Sequence, residues 1–506
     1  MNIFRIFLLL TAIILLFACS ESKEKNTFYV DAAIGSDTNS GTDPDNAWQT
    51  LAKINATDFE PGDNILLKKG QIFHGSLVFD EADAGSESNP IAIGSYGGAY
   101  YSEPIIESGD AFAIKLQHCS WVNISGLVIH GAGRKTAKTS GLMLEHCTNM
   151  NIDSVRASGY QHHGIDVLSS ENIRITHIKA NDNGKTGIRV GGDRIEGTQD
   201  FSSRNIYIGY SDTYDNAGDP TVMDNHSGSG IIVNFTDSAV IEYCSAYNNG
   251  WDMPRKGNGP VGIWAHDANN ITIQYCIAYN NEAPRGAWDG GGFDFDGGIT
   301  NSVMQYNYSY DNNGAGYGLF QYAGTTVWEN NTIRFNISYN DGEGREFTGL
   351  CIWTAEPDKD LLRNCRIYNN VIVNELGSAL KFAMSDEGKA SDPPGFEFYN
   401  NIFISSDEPI NGTYSKSLFS HNAWWRLDNE KIRKNPDAFG RYENPGLQMP
   451  TPDNYRITDP AMLKSLDVFR TVENSPCKGT GKSIPENGGT NFWGEPLTDV
   501  QNIGVE

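Results

Sequence analysis

Paired cysteines are the first thing this 506-residue sequence lacks. Cys19 ends an N-terminal apolar run, and the other seven (Cys119, Cys147, Cys244, Cys276, Cys351, Cys365 and Cys477) form an odd set without short paired spacing. That pattern fits neither a disulfide framework nor a zinc site, so most of them are expected as buried small apolar residues. Basic charge is also scarce: 38 Lys and Arg stand against 63 Asp and Glu, a net charge of −25. Such a balance repels a polyphosphate backbone, and nucleic acid is not expected as a partner. The N-terminal apolar run, Ile6 to Ala18, has 13 residues, short of the roughly 20 that a membrane-spanning helix needs. With 39% hydrophobic residues and 20% charged ones, the chain has enough apolar side chain for a packed core and is not a disordered polymer. Glycine, by contrast, is plentiful. Its 54 residues exceed the usual share of roughly 7% and point to many tight turns.

Arg5 followed by the apolar run and a small residue reads as a cleaved signal peptide over residues 1–18. Leu16-Phe17-Ala18-Cys19 resembles the lipobox of bacterial lipoproteins. That resemblance implies lipidation of Cys19, a polar tether over 19–27, and an outer-membrane lipoprotein facing the cell surface or the periplasm.

From about residue 110 to 405 the sequence repeats. The unit starts with a small residue and a short alternating strand at Gly141, Gly164, Gly187, Gly230, Gly262 and Gly292, with degenerate copies at Tyr317, Gly349 and Ala379. A second alternating segment carries a column reading Val155, Ile178, Ser211, Cys244, Cys276, Asn307, Asn336, Asn370 and Asn401. Stacked asparagines at a bend satisfy backbone groups that would otherwise be buried unpaired. A third segment carries the row Tyr247, Tyr279, Tyr310 and Tyr339, which reads with Tyr243, Tyr275 and Tyr306 as exterior stacking ladders. Short strands of period two, in coils of about two dozen residues or more, specify an all-β chain. Its fold is a right-handed parallel β-helix, a solenoid of three parallel sheets over 106–425. A solenoid needs capped ends. Residues 28–105 are expected to form the N-terminal cap and first coils, and 426–506 a C-terminal capping segment. The long inserts between Gly187 and Gly262 are expected to wall a cleft.

The opening Phe28-Tyr29-Val30-Asp31 with Gly35, the Pro61-Gly62-Asp63-Asn64 turn, the coils, and the closing Ser475-Pro476-Cys477 with Asn491-Phe492-Trp493-Gly494 resemble bacterial right-handed parallel β-helix proteins that act on polysaccharides. That resemblance implies polygalacturonase-like glycoside hydrolases or polysaccharide lyases and epimerases. The aspartate trio with Gly-His-Gly of polygalacturonases and the Arg-rich signature of pectate lyases have no match here. The resemblance therefore specifies architecture and leaves the reaction open.

Side chains on the first strand alternate between core and outside, so the outward columns can be read directly. One runs Met143, Asp166, Arg189, Ile232, Trp264, Asp294, Leu319, Cys351, Lys381. The other runs Glu145, Leu168, Gly191, Asn234, His266, Asp296, Gln321, Trp353, Ala383. Asp294, Asp296 and His266 thus converge as candidate catalytic residues. Two carboxylates on one strand repel, raising one pKa to give a proton donor beside an ionised partner, with His266 assisting. Trp264 and Trp353 offer surfaces for sugar rings, and Asn234 and Gln321 bond to hydroxyls. Asp166 and Arg189 make a distal subsite or a surface ion pair. His162 and His163 read as solvent-exposed turn residues.

The leading expectation is a glycoside hydrolase acting on a polysaccharide or oligosaccharide without a cofactor, as a monomer anchored to the outer membrane through its N-terminal lipid. The alternative is a calcium-dependent lyase, with Asp289, Asp294 and Asp296 holding the cation. Lys381, three coils from Asp294, is too distant to serve as the partner base. A third reading is a glycan-binding surface protein that does not turn substrate over.

Overall fold

The structure is a computed structural model that describes residues 25–196, 198, 200–284, 287–342, 348–385, 388–433 and 436–506. The expected signal peptide, Cys19 and most of the tether lie outside the described residues.

Short parallel strands wind into a right-handed β-helix, as the repeat predicts. The first strands of successive coils form a twelve-stranded parallel sheet reaching from Leu77–Phe79 to Ile410–Asn411. The second and third strands make up the other two faces. These count as one sheet because in two early coils both run on in a single long strand, Val122–Gly131 and Thr148–Ser158. Alternation puts every second residue inside. Ile165, Ile188, Ile231, Ile263, Phe293, Tyr317, Leu350 and Leu380 stack in register, all buried. Each such side chain contributes about 1.5–3 kcal/mol by leaving water.

The bends explain the recurring columns. After the second strand the chain enters the left-handed region at Tyr210, Tyr243, Tyr275, Tyr306 and Phe335, which costs about 1–2 kcal/mol for a residue with a side chain. Ring stacking along the coil axis offsets part of that cost: Tyr210, Tyr243, Tyr275 and Tyr306 lie 5.0–5.1 Å apart, centroid to centroid. The next residue points inward and builds the expected ladder. Both the N–H and the Nδ2 of Asn307 donate to Asn336 Oδ1 at 3.1 Å. The chain of bonds then runs through Asn370, Asn401 and Asn422 to Asp437. A second ladder, which the column reading missed, lies at the next bend. Asn183, Asn216, Asn249, Asn281 and Asn312 bond in sequence and end on Asp341. It also explains the glycine that opens each coil: a Cβ on Gly262 would stand 2.7 Å from the Gly292 carbonyl oxygen and 2.8 Å from Asn281 Nδ2.

One repeat is shifted from its expected start. Phe293 pairs with Tyr317 and Tyr317 with Leu350, so the coil opens at Gly316, one residue earlier than Tyr317. Tyr317 is a core residue whose hydroxyl lies 2.9 Å from the carbonyl oxygens of both Asn307 and Ile337. Leu319 accordingly faces the core, and a one-residue slip moves every side chain of that strand to the opposite face.

At the N-terminus Thr27–Val30 adds to Asn64–Lys68 as the first coil, and the short helix Leu51–Asn55 buries Leu51 and Ile54. At the other end Ala423 bridges to Arg441. The last segment does more than cover the end, because it runs back along the flank. Tyr308 and Tyr310 donate to the Tyr455 and Ile457 carbonyls at 3.0 Å, and Asn369 donates to the Gly504 carbonyl at 2.6 Å. Tyr306, Tyr310 and Tyr339 are therefore buried beneath it, and the tyrosine ladders emerge only at their N-terminal rungs. The seven cysteines after Cys19 are free and buried, as expected.

Candidate active site

A cavity of about 980 Å³ lies over the first sheet. Its floor includes Ile232 and Trp264, neighbours in register on adjacent coils. The two long inserts wall it as expected, one supplying Asn225 and His226 and the other Arg255 and Asn258, with Trp288 from the following coil beside them.

Asp294 pairs in register with Trp264, yet of the three aspartates only Asp289 and Asp296 line the cavity. Asp294 is 3% exposed and its Oδ1 has no hydrogen-bond partner. The carboxyl fits because residue 318 on the next coil is glycine; a Cβ there would stand 2.9 Å from Asp294 Oδ1. Burial, then the charges of Asp296 and Asp289, push Asp294 well above the usual carboxylate range. Burial also pushes Asp289 up to about 7, against a hydrogen bond donated by the Gly259 N–H to its Oδ2 at 2.8 Å. Asp296 rises to about 6 through burial, moderated by His266 and by the Gly297 N–H, which donates to Oδ1 at 2.8 Å. The strand and the turn before it therefore hold three carboxyls with raised pKa values, where one raised beside an ionised partner was expected.

His266 sits one residue beyond the last paired position beside this strand. Its Nε2 lies 3.1 Å from Asn234 Nδ2, so Nε2 accepts and Nδ1 carries the proton. That Nδ1 is 3.3 Å from Asp267 Oδ2. Asp267 turns back through the left-handed region and also accepts from the Tyr322 hydroxyl and from Thr325 Oγ1. Burial pushes Asp267 up, but the hydrogen bonds from His266, Tyr322 and Thr325 outweigh it and hold the carboxyl below its usual range. An ionised Asp267 thus fixes the tautomer and orientation of His266.

A family model described as Pel9A-like, right handed beta helix region, matches residues 28–348. The chain belongs to that Pel9A-like β-helix family. A lacto-N-biosidase of Bifidobacterium longum subsp. longum is 24% identical over 495 residues, covering 75% of this chain. The chain spans 29% of the length of that relative. Among solved structures, the GH136 lacto-N-biosidase of Eubacterium ramulus is similar at 17% identity and a TM-score of 0.45, over 78% of this chain and 68% of that one. A complex of XylC with xylose is similar at 11% identity and a TM-score of 0.52, over 95% and 98% of the two chains.

On this family framework the other expected residues divide. Trp264 is in place but only 4% exposed, stacked on His266 at 5.1 Å with His226 edge-on at 4.9 Å. Asn234 and Trp353 line the cavity. Gln321 does not: the register slip pairs Phe320 with Trp353 and Gln321 with Thr354. Gln321 is fully buried, donating to the Thr326 carbonyl and accepting from the Gly298 N–H. Asp166 is likewise buried, on the outward face of the coil before Arg189, where it accepts from Ser140 and holds Arg189 at 3.2 Å, and Arg189 alone of that pair lines the cavity. His163 is buried and not exposed, and it lines the cavity with Lys185. Tyr322 and Asp267 were missed as site residues, although the His266-Asp267 dipeptide at a coil end was visible. Among the described residues no group of three or more His, Cys, Asp or Glu is gathered closely enough to hold a metal ion. The donor set of Asp289, Asp294 and Asp296 does not assemble into a cation cage.

Proposed function

We propose that the protein is a glycoside hydrolase in which Asp289 and Asp296 are the working carboxyls. The observation that carries this reading is that these two, of the three perturbed aspartates, open onto the same cavity, with pKa values raised to about 7 and about 6. Asp289, the weaker acid, holds a proton near neutral pH and donates it to the departing glycosidic oxygen. Asp296, ionised first, either deprotonates the water that attacks the anomeric carbon or attacks that carbon itself to form a glycosyl-enzyme that water then hydrolyses. His266, fixed by Asp267 and Asn234, stands beside Asp296 at the end of the neighbouring strand. Asp294, buried on the same outward face between Trp264 and Gly318, stays neutral and takes no part in the chemistry. The similarity to lacto-N-biosidase supports hydrolysis over other chemistry. In the lyase reading a basic side chain must stand beside the carboxylates. The cations that line the cavity (Lys185, Arg189 and Arg255) belong to its other end and to an insert. Display on the outer membrane through a lipid on Cys19 completes the proposal, supported by the apolar run that ends there.

The test is Asp289→Asn and Asp296→Asn against a wild type that releases reducing ends from an oligosaccharide. Each variant is expected to lose roughly a hundredfold or more in turnover. Full activity in both places the chemistry elsewhere.

A further inference from the structure

Cations are scarce in this chain, yet three of them, Lys185, Arg189 and Arg255, line the same cavity, and the first two do so at its N-terminal end. Arg189 is anchored from behind by buried Asp166 at 3.2 Å, and Lys185 makes no ion pair among the described residues. Beside them lies His163, 9% exposed, whose Nδ1 is buried without a hydrogen-bond partner and which lines the cavity. The Nδ1 of His226, across the cavity, is also buried and unpartnered. Of the acidic side chains lining this pole, Asp224 is exposed on the rim. Along the sheet, Arg189 is separated from Asp294 by Ile232 and Trp264. Three coil steps of about 4.8 Å make that roughly 14 Å. The cavity is therefore bipolar, with carboxyls at one end, an apolar floor between, and a cationic end with orphaned imidazole nitrogens.

We propose that the cationic end is an anion subsite, and that the glycan bound here carries a carboxylate or sulfate group on a sugar a few coils from the scissile bond. Arg189 presents a planar fork suited to either oxyanion, and Lys185 adds a second charge. The proposal deepens the reading of the cavity as a glycan site, and its binding test does not depend on the carboxyl chemistry.

The experiment is calorimetric titration of the full chain carrying Asp289→Asn. The probes are size-matched neutral, uronate-containing and sulfated oligosaccharides, and inorganic sulfate alone. Acidic oligosaccharides are expected to bind about tenfold tighter or better than neutral ones, with the gap shrinking as salt screens the charges. Lys185→Gln should remove much of that gap. Arg189→Gln is the less informative change, because it strands buried Asp166. Preference for uronate over sulfated probes, or the reverse, identifies the anion and supports the proposal either way. Equal binding of neutral and acidic probes overturns it, as does a gap that survives the Lys185 change. If acidic probes bind through Lys185 but the wild type releases no reducing ends, hydrolysis fails and the subsite stands. Cleavage confined to neutral glycans and dependent on Asp289 leaves hydrolysis standing and overturns the subsite.

Discussion

In the proposed mechanism turnover requires Asp296 ionised and Asp289 protonated at the same moment, so the pH profile follows from their pKa values of about 6 and about 7. With those values the productive form makes up about 60% of the protein at pH 6.5 and about 3% at pH 4.5 and at pH 8.5. The rate should therefore trace a narrow bell centred near pH 6.5 and fall about twentyfold on each side. The assay is kcat/KM for reducing-end release across pH 4 to 9 at constant ionic strength. Asp289→Asn should remove the alkaline limb together with most of the rate. A substrate with a strongly acidic leaving group should restore much of the loss, because it departs without a proton. Asp296→Asn should not be rescued in that way. A profile flat from pH 5 to 9, or an acid limb near pH 4 that survives Asp296→Asn, would refute the assignment.

Three further outcomes follow from the same geometry. Asp294→Asn should change turnover little, and it should stabilise the fold near neutral pH: the folded-state pKa is raised, so ionisation costs stability as pH rises above the unfolded value, and the gain should fade as pH falls toward 4. Denaturation at pH 4.5 and 7 measures this, and a loss of stability at pH 7 contradicts it. Asn336→Ala strands the Asn307 N–H and the Met304 carbonyl and takes one bond each from Asn307 Nδ2 and Asn370 Oδ1, and should cost about 3 kcal/mol or more; a loss below about 1 kcal/mol in urea unfolding would contradict the ladder account. Cys19→Ser should abolish both fatty-acid labelling and membrane association, and an unlabelled wild type would leave only a secretory signal.

The β-helix was legible because its physics is periodic. Glycine at each coil start, alternating strands and the Asn column each repeat an identical local demand, and the Asn307-to-Asn401 ladder stands where its column put it. Reading went wrong where the period broke. With Tyr317 taken for the coil start in place of Gly316, Gln321 fell in the His266 column, although Tyr317 is core and Gln321 holds the Thr326 loop. Alternation distinguishes inward from outward but not how deep an outward side chain lies, so Asp294 and Asp166 read as surface groups when inserts and neighbouring coils bury them. His163 was read as a turn residue, whereas it opens the strand His163–Leu168 and is buried. The inserts carry no period, and which of their residues close over the cavity is set by tertiary packing alone. Asp289 was noted on its turn, but only the folded insert shows it sharing a cavity with Asp296.

Reducing ends and absorbance at the unsaturated-uronate band, read together on neutral and acidic plant and algal polysaccharides, test hydrolysis by the Asp289–Asp296 pair most directly. The account predicts reducing ends without absorbance from the wild type, and neither from Asp296→Asn. Reducing ends with matching absorbance would make the protein a lyase, and binding without either product would make it a glycan-binding protein; both contradict the account.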